Sequence, residues 1–308
     1  MTGLEAGLQD YLALRRSMGF KLVRAEKLLG QFVDHCDAVG TDVVTAEVAF
    51  QWATLPEDAS RSWVAHRLCV ARGFSRHLAL VDERNELIPA SLFPHRPTRA
   101  TPYLYTEDEV RRLIAAAGSL RTPIRQATFA AMLGLLWATG MRVGEALGLD
   151  CGDVDLAHGL LTVREAKFGK SRELPVHETT LGALRAYAER RDRLFVHPDS
   201  PAFFISAAGR RVRYDNFHQT FLKLVEQAGL VRRSPTCRPR PHDLRHSFAV
   251  RTLIGWYRDG VDVEARLPQL STYLGHVHPA NTYWYLSASP ELLGLAAQRL
   301  EAAEKEGS

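Results

Sequence analysis

The 308-residue chain is poor in cysteine, and the four it has are scattered. Cys36, Cys69, Cys151 and Cys237 form no CxxC pair, so neither a structural zinc site nor a disulfide framework is expected. No apolar run reaches the roughly 18 residues that a membrane span requires. The opening stretch MTGLEAGLQDYLALRR carries Glu5 and Asp10 within its apolar pattern, which makes it an amphipathic helix and not a signal peptide. A cytoplasmic protein with no membrane partner is therefore expected. The phosphate-cradling patterns GxGxxG and GxxxxGK[ST] are missing, so nucleotide binding has no support. Internal repeats are missing too. What is present is ordinary for a globular chain: 46% hydrophobic and 24% charged residues, with length enough for two domains.

The charge is unevenly spread. A net charge of +4 only mildly favours a polyanionic partner. Arg and Lys crowd 164–172 (REAKFGKSR), 210–213 (RRVR) and 232–245 (RRSPTCRPRPHDLR). Such clusters suit a nucleic acid, and a solvated surface gives the same pattern.

Residues 1–90 read as helices. Leu4, Leu8 and Leu12 recur at helical spacing, and Leu22, Leu28, Leu29, Phe32 and Val33 make a second stripe. Thr45 is placed to cap a short helix through Trp52, and Ser60 to Val81 is a longer basic helix. Pro89, Pro94, Pro97 and Pro102 then forbid sustained helix. The expected division is a helical domain over 1–96, a linker over 97–103 and a second domain over 104–308. In the second domain Thr106 and Glu109 form a capping-box pattern, and Pro123 to Ala138 reads as a buried helix. GLLTVREAKFGKSRELPVH alternates and turns at 168–171, so it predicts a β-hairpin, and a second hairpin is expected over 202–212. Further helices are expected at about 179–193, 215–228, 242–257, 263–274 and 289–304. The fold class is mainly α with small β-hairpins (α+β).

Five sites stand out as chemistry. Arg142 and Glu145 lie three apart, so one helical face brings the carboxylate to the guanidinium. An ordinary surface ion pair has the same spacing, but Arg142 follows a nearly all-apolar helix, where a charge needs a partner. His242 and Arg245 stand three apart at a helix start after Pro241, a pair of donors suited to an anion. Lys167 and Lys170 flank the hairpin tip; strand parity puts Lys167 on the face of Leu161 and Val163, whereas Lys170 lies in the turn. His276 and His278 make an H-x-H pair, but with no third ligand at usable spacing and Pro279 next to it, no metal is expected. Finally YLGHVHPANTYWYL, 273–286, offers Tyr273, Tyr283 and Tyr285 as reactive phenols or as aromatic filling.

Taken in order, R142-x-x-E145, Lys167 on a hairpin, H242-x-x-R245 within HDLRH, L274-G275-H276 and a tyrosine nine residues later resemble the catalytic domain of the tyrosine recombinases, the phage-integrase family. The resemblance covers about 104–290, and residues 1–96 resemble that family's core-binding domain. TYWYLSASPELL further resembles the transposon-borne integrase branch. The resemblance selects Tyr285 as nucleophile, because the family spacing from the LGH histidine is nine, whereas Tyr283 stands at seven. On a helix the two would point about 200° apart. It implies a catalytic set of Arg142, Lys167, His242, Arg245, His276 and Tyr285, supported by Glu145. It implies a site-specific recombinase working through a 3′-phosphotyrosyl ester, with no cofactor and no metal. Double-stranded DNA is the implied partner, with backbone contacts from Arg61, Arg67, Arg72, Arg76, Arg96 and Arg99. Assembly as a tetramer on paired sites, with or without a partner recombinase, is implied too. The final helix would dock on a neighbouring protomer, or pack within its own chain. Two alternatives share the scaffold or its chemistry: a type IB topoisomerase, and a non-catalytic DNA-binding protein. A third, from a different class, is a helical protein-interaction module.

Strand parity generates one test. If Lys167 protonates the leaving 5′-oxygen, a substrate with a 5′-bridging sulfur, which leaves without a proton, restores cleavage by Lys167→Ala. Restoration of Lys170→Ala instead moves the role into the turn.

Overall fold

The computed structural model describes residues 3–95, 100–164, 171–195, 200–276, 278, 280–287 and 290–306. The chain divides into two compact units, Met1–Arg99 and Ala100–Ser308.

In the first unit the described residues form α1 (Gly3–Ser17), α2 (Val23–Ala38), α3 (Ala46–Thr54), α4 (Arg61–Leu78) and a 3-10 turn at Ala90–Leu92. Two helix starts are capped as their sequence predicts. Thr45 accepts from the Val48 N–H and Ser60 from the Trp63 N–H. Leu4, Leu8 and Leu12 of α1 are buried, with Leu29, Phe32, Trp52, Leu68 and Phe74 from the other helices. Phe32 and Trp52 meet at a ring separation of 4.9 Å.

This core corrects one expected DNA contact. Arg67 is only 6% exposed. Its Nη2 donates to the Trp52 carbonyl at 2.6 Å, and its guanidinium lies 4.0 Å from the Trp52 ring centre. The reason is helical phase: Val64, Leu68 and Ala71 are buried on α4, and position 67 falls on that same face. Arg72 is also committed, donating to the carbonyls of Ile88 and Pro89. Arg61 and Arg76 are exposed. Arg96 and Arg99 lie outside the described residues.

In the second unit α5 (Glu107–Ala116), α6 (Pro123–Thr139) and α7 (Val143–Gly148) precede a three-stranded antiparallel sheet: β1 (Val154–Asp155), β2 (Leu160–Val163) and β3 (Arg172–Pro175), in the order β1-β2-β3. There follow α8 (Glu178–Leu194), α9 (Tyr214–Gln227), α10 (Asp243–Arg258), α11 (Val263–Leu274), α12 (Ala280–Tyr283) with a 3-10 turn at Trp284–Ser287, and α13 (Pro290–Glu306). The first hairpin is present, with Val163 opposite Arg172 and Leu161 opposite Leu174. Strand β1 was not expected. The second hairpin is a correction: it reduces to a single bridge, Ile205 to Arg211, closed by Gly209 at φ 70°. Phe203, Phe204 and Ile205 are all buried there, so the segment works as core and not as half-buried ladder.

Helix α6 is the buried centre, packed against α5, α8 and α10. Its apolar residues run around its circumference; Phe129, Met132, Leu133 and Leu136 are buried, and the face of Ala127, Ala131 and Gly134 lines an open cavity. Segment 101–105 is clipped to α10: the Tyr105 N–H donates to Ser247 Oγ at 2.8 Å and the Tyr105 hydroxyl to the Arg240 carbonyl at 3.1 Å. Arg240 in turn pairs with the buried Asp243. A separate cluster joins Ala249 and Leu253 of α10 with Leu267, Leu270 and Leu274 of α11, Tyr285, and Leu292 of α13. No described helix is long and apolar enough to cross a membrane.

Replacing Arg67 by Ala should therefore act on stability. Loss of the guanidinium from the Trp52 ring and carbonyl should cost about 1–3 kcal/mol in denaturant unfolding. The salt dependence of DNA binding should stay as in the parent chain, whereas a true phosphate contact would lower its slope by about one.

Candidate active site

The site is built on the end of α11. Gly275, at φ 69°, turns the chain left-handed after Leu274. The N–H groups of Gly275 and His276 bond back to the Thr272 and Ser271 carbonyls. This is a glycine cap, and it leaves the carbonyls of Tyr273, Leu274 and Gly275 facing outward from the helix end. Each accepts from a different arginine. Arg172 Nε reaches Tyr273 O at 3.0 Å, Arg245 Nη2 reaches Leu274 O at 2.7 Å, and Arg142 Nη2 reaches Gly275 O at 2.9 Å. Three guanidiniums thus meet the partial negative charge of one helix C-terminus.

Arg142 sits at the start of α7, three residues before Glu145, as its spacing predicts. Its own N–H and its Nη1 both donate to the Glu145 carboxylate, at 2.9 and 2.8 Å. Arg172, at the first position of β3, donates to the same carboxylate through both Nη atoms, at 3.0 and 2.8 Å. Burial pushes the Glu145 carboxyl up. The hydrogen bonds and charge of Arg172 and Arg142 outweigh that and hold it at about 2.

Arg245 is only 2% exposed, the deepest charge of the group. Besides Leu274 O it donates to Gly140 O at 3.0 Å, and it hydrogen-bonds the Tyr285 side chain. Burial, then the charge of Arg142, draws its guanidinium down to about 10, so it stays protonated at neutral pH. Gly140 ends α6 at φ 61°, and a Cβ there would lie 2.5 Å from the Phe248 ring. Only glycine can bring that carbonyl to Arg245.

Of the two candidate tyrosines, Tyr285 is 2% exposed and Tyr283 48%. The Tyr285 ring stacks on His276 at 6.0 Å and lies 5.4 Å from His246. His276 Nδ1 is 2.7 Å from Thr282 Oγ1, which fixes the ring. His242 begins α10, its ring 4.7 Å from His246. Both His242 and His276 are lowered from 6.5 to about 4, first by loss of solvation and then by the charges of Arg245 and Arg142. His242 keeps one side open to solvent. Both rings are neutral at neutral pH. Tyr273 packs against Phe248 at 5.6 Å and belongs to the core.

The structure therefore gathers Arg142, Glu145, Arg245, His276 and Tyr285, with His242 at the edge of the group. Lys167 and Lys170 lie outside the described residues. His276 is committed to Thr282 and His278 is exposed, and no group of three His, Cys, Asp or Glu among the described residues could hold a metal. Sequence reasoning missed Arg172 and Thr282. A signal for Arg172 existed: it sits two residues before the buried Leu174, on the inward face of its strand.

A buried tyrosine beside paired arginines and neutral histidines, on a helical domain with a small sheet, defines a tyrosine-type recombinase fold. Residues 104–291 match the Phage integrase family, and the chain belongs to it. It is 42% identical to the integrase/recombinase y4rB of Sinorhizobium fredii, over 98% of each chain. It is 32% identical to the tyrosine recombinase XerD of Mycobacterium tuberculosis, over 72% of this chain and 68% of that one. Among solved structures, the Tn1549 transposon integrase in complex with transposon right end DNA covers 98% of this chain and 99% of its own, with a TM-score of 0.66 at 17% identity. The protein is a site-specific recombinase, a DNA strand-transferring enzyme, and these relatives favour neither the topoisomerase nor the non-catalytic reading.

The titrations follow in sign. His242 and His276 are held neutral, so their share of stability is complete above about 6.5 and is lost as pH falls towards 4. Glu145 is held ionised, so its share is complete above 4.5 and is lost as pH falls towards 2. NMR of ring-labelled histidines should show two rings with midpoints near 4. Glu145→Gln should remove the lower window of acid unfolding and leave the upper one. Ordinary midpoints for both rings would mean that they are not buried beside the arginines in solution.

Proposed function

We propose that this recombinase cuts and rejoins DNA with Tyr285 as nucleophile. The observation that carries the reading is the burial of Tyr285 against Arg245 and His276 while Tyr283 faces solvent. The Tyr285 oxygen attacks phosphorus, the bond to the 5′-oxygen breaks, and a 3′-phosphotyrosyl ester forms. The phenolic proton passes to a neutral histidine, His242 or His276. A phosphate anion bound beside these rings raises their basicity at the moment it is needed. Lys167, which lies between β2 and β3 in the chain, protonates the 5′-oxygen.

Arg245 has five N–H donors, of which carbonyls 140 and 274 take two. The remainder suffice for the tyrosine and a non-bridging phosphate oxygen. Arg142, committed to Glu145 and Gly275 O, keeps donors for the second oxygen. Such pre-set donors stabilise the extra charge of the transition state without reorganising. Rejoining reverses the step, because the ester retains the energy of the broken bond, so neither ATP nor a metal ion enters.

Double-stranded DNA is the partner in this reading. The first unit serves as the core-binding domain, with Arg61 and Arg76 as its exposed candidates for backbone contact. Strand exchange requires a tetramer on paired sites, of this chain alone or with a partner recombinase. Helix α13 enters that picture from a cis position: Leu292 is buried, Arg258 pairs with Glu291, and Arg299 donates to the Val261 carbonyl.

The experiment is to trap covalent adducts on genomic DNA with the whole chain and sequence what is attached. Tyr285→Phe should bind DNA and form no adduct, whereas Tyr283→Phe should form adducts freely. Arg142→Ala should slow cleavage on the order of 10²–10³-fold. The reverse result for the two tyrosines reassigns the nucleophile, and a wild-type chain that forms no adduct removes the reading altogether.

A further inference from the structure

We propose that Arg172 is a positioning residue for cleavage, fixing the Glu145 carboxylate so that Glu145 in turn presents Arg142 to the scissile phosphate. The inference rests on the function proposed above. A carboxylate has about four acceptor sites. Glu145 has four donors on it: the Arg142 N–H and Nη1, and the two Nη atoms of Arg172. Arg172 therefore supplies half of the bonds that decide how this carboxylate is turned. The side chain of Glu145 is 9% exposed and that of Arg172 13%, so water is poorly placed to substitute for either.

Arg172 is itself fixed at both ends. Its backbone is paired in the sheet opposite Val163, and its Nε donates to Tyr273 O. Its guanidinium also lies over Gly275, where a Cβ would come within 2.8 Å of Nη1. One side chain thus joins the base of the hairpin, the Glu145 carboxylate and the capped end of α11. Arg142 hangs from the last two of these, through Glu145 Oε1 and Gly275 O. Removing Arg172 leaves a buried carboxylate half-satisfied and free to rotate, and Arg142 loses its direction while keeping its charge. Lysine is a poor replacement, since one ammonium cannot span both carboxylate oxygens and Tyr273 O as the planar fork does.

The test uses the whole chain and a nicked duplex of the sequence recovered from wild-type adducts. Arg172→Ala and Arg172→Lys should lower single-turnover cleavage at saturating DNA by roughly 10–100-fold, the range found when a partner that orients a metal ligand is removed. Single-site DNA affinity and the thermal midpoint of the lysine variant should stay close to those of the wild type. A methylphosphonate at the scissile position carries no charge on its non-bridging atoms, so it asks less of Arg142. On that duplex the gap between wild type and the Arg172 variants should narrow at least tenfold, as it should for Arg142→Ala. A 5′-bridging sulfur should not narrow it.

Three results overturn the proposal. Cleavage at the wild-type rate in both variants means that Glu145 is held without Arg172. Restoration by the bridging sulfur, and not by the methylphosphonate, means that Arg172 acts on the leaving group through the hairpin. Loss of cleavage on all three duplexes together with lost DNA affinity means a merely structural role. Each of these is distinct from failure of the underlying reading, in which wild type itself yields no adduct.

Discussion

The end of α11 is the constraint on which the site depends. Three carbonyls that a helix cannot satisfy for itself meet three guanidiniums, of which those of Arg245 and Arg172 are largely withdrawn from solvent. Each side resolves the other's deficit. An unpaired buried arginine carries a heavy desolvation cost, and an unpaired helix end wastes its terminal acceptors. The pairing also sets geometry. Arg142 comes from α7, Arg172 from β3 and Arg245 from α10, three elements far apart in the chain, and one turn of backbone brings their charged ends together.

The resulting group is electrostatically unfinished. Three guanidiniums face a single carboxylate, and both flanking histidines are held neutral. Burial, and after it the surplus positive charge, keeps the histidines deprotonated, and the surplus leaves donors unfilled. In the proposed reaction, a phosphate would complete the group by relieving both conditions together. The hydrogen bond from Arg245 holds the Tyr285 side chain at the edge of this group.

The sequence made legible what depends on local spacing. The pairs Arg142 and Glu145, and His242 and Arg245, follow from helical spacing, the step from His276 to Tyr285 follows from the family resemblance, and helix α11 falls over the expected residues. What it hid depends on direction. A count of arginines on α4 does not separate Arg76, which faces solvent, from Arg67, which faces Trp52; only the phase against Val64 and Leu68 does. Arg172 was concealed in the same way, as one of several basic residues around a hairpin tip. Its inward parity becomes meaningful only when the register with β2 is known. The second hairpin failed because residues 203–205 are a continuous apolar run, Phe-Phe-Ile, that is buried and pairs across the turn only at Ile205.

The acceptors at the end of α11 belong to the main chain, which bears on how such a site can change over generations. Substituting Tyr273 or Leu274 alters packing but leaves the carbonyl that holds an arginine. Gly275 and Gly140 have no such freedom, because their left-handed turns and close neighbours admit no side chain. The arginines are locked for a different reason, since each answers a fixed oxygen. Drift is therefore channelled: wide at the positions that look most central to the motif, and almost closed at two glycines that bear no functional group at all.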